Sequence, residues 1–282
     1  MKINFRNASV LLSLVALIVY LFVSAPAPLP QGKANSGEAT VSVRVLFEVL
    51  AAEQAAARSL YTREVVGAGM KQGLKFSEEW KKPEIEAGPL PALLLREVSQ
   101  RLQASGSGVG LFLGSDFPIA SVNRFQGVQV ERFELIKKSK QPEFFKDPSN
   151  GSQTAMFIDP ASAPGCVTCH NEHPDSPKKD WKLGDPMGAT TWLYPRADVS
   201  LQEVMQRLTQ LRTAMRESYQ SYLDRVAGFK KTQVVVGDKW PRDGLFLPDA
   251  DRFMAAVERD IAAQTVRVLM QAASNDRALA PR

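Results

Sequence analysis

The chain's only two cysteines stand three residues apart, and a histidine follows the second directly, giving Cys166-Val167-Thr168-Cys169-His170. Two thiols this close cannot staple a chain of 282 residues, so a disulfide framework is excluded. The fold has to come from an apolar core, and 44% hydrophobic with 23% charged residues is enough to build one. The cysteine pair then needs a chemical explanation of its own.

Cys-x-x-Cys-His is the attachment pattern of c-type haem, in which two thiols add across the porphyrin vinyl groups and the adjacent imidazole coordinates iron. One covalent haem c is therefore expected, held by Cys166 and Cys169 with His170 as proximal iron ligand. Two competitors stay open. Structural zinc wants four ligands, and the chain offers Cys166, Cys169, His170 and His173, crowded together. A redox dithiol opens a helix after a strand, whereas Pro164 and Gly165 precede this motif and Pro174 follows it. His170 and His173 are the only histidines, and His173 lies too near to swing to the opposite haem face. A backbone group or a propionate is its expected partner, and bis-histidine ligation is not expected. The sixth position falls to a methionine, another side chain, water or nothing. Met70 is the distal candidate, Met156 and Met187 read as core, and Arg58 and Tyr61 are candidates for the distal lining or an ordinary helix face.

Residues 8–25 carry no charge and follow Lys2 and Arg6, the pattern of an export signal or membrane anchor. Val23-Ser24-Ala25 resembles a cleavage site, but Pro26 would block the cut, which favours an uncleaved single-pass anchor over a removed signal peptide. The positive-inside rule leaves the body on the periplasmic side of the inner membrane, or free in the periplasm if cleavage occurs. Overall, 35 basic residues stand against 30 acidic ones without a long run, so no nucleic-acid partner is expected.

Behind a Pro- and Gly-rich linker over 26–40, helical periodicity runs from Val41 to about Arg63, with Gly67, Gly69 and Gly73 loosening or ending it. A second helix starts after Pro91. Val109 to Leu113 reads as a strand, Gln126 to Lys140 as a helix, and Gln153–Asp159 and Ala189–Tyr194 as strands. The long connection from Asp159 to Gly188 has the length of a functional segment. This mixture predicts an α+β fold: a small antiparallel sheet with helices packed to one side. Asp198 to Phe229 reads as a long helix opened by the capping box Ser200-x-x-Glu203. Its stripe from Leu201 to Tyr222, interrupted by Ser218, suits either a helix of the same chain or a homodimer seam. Residues 234–248 read as loop or short strand, and Asp249 to Ser274 as a closing helix. Four parts result: signal or anchor at 1–25, linker at 26–40, a haem domain at 41–196 and a helical region at 197–282.

Residues 166–185, continued by Pro186-Met187-Gly188-Ala189, resemble the c-type-haem PAS-like sensor domain found outside the membrane in bacterial histidine kinases, chemotaxis receptors and nucleotide cyclases. Gly73-Leu74-Lys75-Phe76 and the segment from Asn123 to Glu131 share the likeness. The resemblance implies a PAS-like antiparallel sheet flanked by an N-terminal helix, one covalent haem on Cys166 and Cys169 with His170 proximal, and sensing of redox state or a small ligand such as a gas. Some relatives draw a distal ligand, including cysteine, from the N-terminal helix, where this chain has neither Cys nor His. No kinase, cyclase or methyl-accepting segment is legible, so output is expected through a redox or signalling protein partner. The alternative is a periplasmic electron-transfer cytochrome c. Enzymatic activity is not expected, because an open iron site would still lack a spare histidine as acid or base.

Overall fold

The structure, a computed structural model, describes residues 40–261 together with Val266 and Met270. Strand β1 (Thr40–Ser42) leads into helix α1 (Val43–Leu60), whose start is fixed by the Ser42 hydroxyl accepting from the Arg44 N–H at 3.3 Å. The rod continues through a π-helical stretch, Tyr61–Gly67, into α2 (Ala68–Lys71), so Gly67 and Gly69 lie inside it and only Gly73, at a φ of 98°, turns the chain away. Then follow the short parallel pair β2 (Phe76–Ser77) and β3 (Gly88–Pro89), helix α3 (Pro91–Ala104) with proline in its first turn, and β4 (Gly110–Gly114). Next come α4 (Val128–Ser139), β5 (Glu143–Lys146), β6 (Gln153–Pro160), α5 (Pro164–Glu172) and β7 (Pro186–Tyr194). The chain closes with β8 (Asp198–Ser200), which pairs with β1, then α6 (Leu201–Val226), the pair β9 (Val235–Gly237) and β10 (Phe246–Pro248), and α7 over 250–261.

The main sheet is antiparallel throughout, in the order β4-β7-β6-β5. Along β6 the run Thr154-Ala155-Met156-Phe157-Ile158 is apolar at nearly every position, which demands cover on both faces. Met156 and Ile158 meet Phe112, Phe133 and Ile136 under α4, while Ala155 and Phe157 face the larger core shared by α1, α3, α6 and α7. Helices therefore cover both faces, which corrects the expectation of helices on one side, because β6 buries side chains at both its even and its odd positions.

The α6 stripe is spent inside the chain. Val204, Leu208, Leu211, Tyr219 and Tyr222 are buried in the large core, and Ser218, the apparent interruption, is buried with its hydroxyl donating to the Ala214 carbonyl at 2.7 Å. Tyr61 belongs to this core, its hydroxyl donating to the Pro89 carbonyl at 2.7 Å and its ring edge-on to those of Phe76, Tyr219 and Phe253. The fully buried Glu53 carboxylate is gripped by Arg212 of α6 at 2.6 and 3.1 Å, tying α1 to α6. The region expected as a separate helical part beyond 196 thus shares one core with residues 41–194. Among the described residues no helix is long and apolar enough to cross a membrane, and residues 8–25 lie outside the described part.

Candidate functional site

The Cys-x-x-Cys-His motif sits on a loop pinched off from the sheet. β6 loses register between Asp159 and Pro160, and two backbone bonds close the neck: the Ala161 N–H to the Asp185 carbonyl at 2.8 Å and the Gly184 N–H to the Ala161 carbonyl at 3.0 Å. Gly188 lets β7 restart here, because a Cβ at that position would run into the Gly114 carbonyl of β4. Within the loop, Pro164 begins α5 rather than breaking it, since a proline at the first helical position forfeits no hydrogen bond. This corrects one argument against a redox dithiol: the motif does open a helix after a strand.

One turn of α5 separates Cys166 from His170, so both thiols and the imidazole leave the same short helix. The Asn171 side chain fastens α5 to the opposite limb of the loop. Its amide donates to the Trp181 carbonyl at 3.0 Å, and its oxygen accepts from the Trp181 N–H at 2.9 Å. Trp181 forms a small core with Ala161 and Met187, against which Cys166 and Val167 pack. The His170 and Trp181 rings stand edge to face, 6.4 Å apart. A cavity of about 190 Å³ opens beside this cluster between Phe117, Phe133, Lys137, Trp181 and Met187.

Charge surrounds the imidazole on the side of α1. Arg58 binds both carboxylate oxygens of Asp159, at 3.0 Å through Nη1 and through a second bond from Nη2. Glu78, in the turn after β2, lies 3.5 Å from His173 Nε2, and His173 Nδ1 accepts from the Asp175 N–H at 3.1 Å. Burial pushes the His170 pKa down from the usual histidine range; Asp159 and Glu78 oppose that shift and His173 adds to it. A neutral imidazole is the metal-binding form. Its Nδ1 is buried with no hydrogen-bond partner among the described residues, an orphan that calls for a further group. Burial, reinforced by Glu78, Cys166 and Glu172, raises the Cys169 thiol, the opposite of what a redox dithiol needs. Both cysteines are free and half-buried. For zinc, His173 Nδ1 already accepts from the Asp175 N–H, and among the described residues no three His, Cys, Asp or Glu side chains converge on a metal position. The donor set and the orphaned Nδ1 fit a haem held by Cys166, Cys169 and His170.

A family model described as Tll0287-like matches residues 38–195. The chain belongs to the Tll0287-like family. Comparisons with curated proteins and with solved structures give no match. The Tll0287-like region spans β1 to β7 and takes in the whole motif loop, stopping short of α6 although α6 completes the same core.

Of the other residues singled out in the sequence, Arg58 reaches the site through Asp159, while Tyr61 is sealed in the main core. Met70 is 61% exposed on α2, whereas Met187, read as core, is the methionine packed against the motif cluster. Asp159, Asn171, Glu78 and the role of Trp181 carry no spacing signal: Arg58 and Asp159 are 101 positions apart, and only the tertiary fold joins them.

Proposed function

We propose that this chain is an exported mono-haem c protein with a PAS-like body, anchored by residues 8–25, that senses redox state or a small ligand and signals through a protein partner. The observation that carries the reading is the convergence on α5 of two free thiols with a half-buried imidazole one turn away. Membership of the Tll0287-like family, a haem-binding sensor-like domain, supports it. The antiparallel sheet with α1 on one face supports the PAS-like description. A haem held by Cys166, Cys169 and His170 would supply one-electron exchange and a metal able to take a small ligand. The protein's own part is to present His170 from α5 beside the two thiols and to set the Trp181 ring against it.

A periplasmic electron carrier is the second reading, favoured by one observation: no residue of α5 is fully buried, so the motif lies near the surface where a redox partner can approach. Optical spectra of the full chain, matured with c-type haem machinery, separate the two. A Soret band that moves when CO is added to the reduced protein supports ligand sensing. A six-coordinate spectrum indifferent to CO removes the gas ligand and leaves redox sensing or electron transfer.

A further inference from the structure

We infer that the cavity between α4 and the motif loop is a binding site for a small organic carboxylate with an apolar, aromatic body. The site rests on the cavity and stands apart from the haem reading. The cavity measures about 190 Å³, more than ten times the roughly 10–15 Å³ that one water needs. Phe117, Phe133, Trp181 and Met187 give it an apolar wall, and the Phe117 and Trp181 rings meet edge to face 6.3 Å apart. Such a wall suits a flat hydrocarbon body.

The polar groups select the charge. Trp181 is 6% exposed, and its indole N–H is buried with no hydrogen-bond partner among the described residues, whereas a buried indole normally donates to an acceptor. Lys178 Nζ lies 4.8 Å from the centre of the same ring, and its ion-pair partner Asp180 is 81% exposed and outside the lining. The two carboxylates of the wall are already held. Asp116 accepts from the Lys137 ammonium at 2.9 Å, and Asp185 accepts from the Lys182 N–H at 2.9 Å. The wall thus offers an unengaged N–H and an ammonium whose partner is solvated, a pairing that contributes little. Together they favour an anionic acceptor over a cation, and a carboxylate takes both through charge-assisted hydrogen bonds. Trp181 also meets His170 edge to face at 6.4 Å, so the occupant would sit one ring away from the motif imidazole.

The test is calorimetric titration of the full chain, matured with c-type haem machinery, with benzoate and with its neutral analogue benzamide. Benzoate should bind saturably at one site per chain, and benzamide at least about tenfold more weakly, because it brings no charge. W181F keeps a ring and loses the N–H, and K178Q loses the ammonium; each should weaken benzoate on the order of tenfold. K179Q, the same change of charge at a lysine outside the lining, should stay within about twofold of the parent. No saturation by about 10 mM benzoate, equal affinity for benzamide, or a K179Q as weak as K178Q would overturn the proposal. If W181F fails to accumulate, K178Q against K179Q and benzoate against benzamide decide the matter alone. A haem propionate carries the same carboxylate chemistry, so the titration is repeated on C166S/C169S. Binding to both forms supports a free acid, and binding to the haem-free form alone overturns it in favour of the propionate.

Discussion

The motif loop and the helical core are held together by different physics. In the core, α6 alone buries Val204, Leu208, Leu211, Tyr219 and Tyr222 against α1, α3 and α7, and most of the stabilisation there is apolar area removed from water. In the loop, α5 has no fully buried residue; a neck of two backbone bonds, the Asn171 side-chain clamp and the Trp181 cluster hold it. The two free thiols and the imidazole stand in the lightly held region, which hangs from a sheet packed on the apolar core. Substitutions in the two should therefore separate: core changes cost global stability and spare the site, while loop changes cost the site and spare the core.

The largest separation should come from Cys166→Ser with Cys169→Ser, which is expected to abolish covalent haem while the unbound protein keeps its parent far-UV circular dichroism; loss of the fold would show that loop and core are one cooperative unit. In the opposite direction, Leu211→Ala should destabilise the chain by about 2–5 kcal/mol in urea titration yet retain haem attachment, because it opens a cavity far from α5 in the contact network. Asn171→Ala should cost about 1–3 kcal/mol locally, seen as faster amide exchange over residues 161–185 with α6 protection unchanged. Equal acceleration in α6 would break the comparison.

The smallest effect is a pH dependence at the head of α6. Burial raises the Glu203 carboxyl, but hydrogen bonds from Tyr194 and Arg196 outweigh it and hold the group below the usual carboxylate range. Its folded value lies under its unfolded one, so its contribution is full above the unfolded value and is lost as pH falls through the folded one. Glu203→Gln should flatten the acid limb of stability against pH, and an unchanged limb would assign acid sensitivity elsewhere.

The core was the more legible region. Ser200 caps α6 as its sequence position suggests, accepting from the Glu203 N–H at 3.1 Å, and the apolar stripe marks the buried face. Glu203 itself does not close the capping box, because Tyr194 and Arg196 claim its carboxylate, a contest that local sequence does not display. Strand β5 was missed since Glu143 and Lys146 bracket only two apolar residues, and its identity comes from pairing with β6. In the loop Pro164 and Gly165 read as breakers, whereas proline starts a helix there. The Arg58–Asp159 link and the Asn171 clamp depend on non-local approach and have no periodic trace.

The most direct test of the central claim is the intact mass, under denaturing conditions, of the full chain produced with c-type maturation machinery, alongside its Cys166→Ser/Cys169→Ser variant. The account predicts one haem added covalently to the parent and none to the variant. A parent at the mass of the bare polypeptide would contradict it and return the thiols to a dithiol or zinc role.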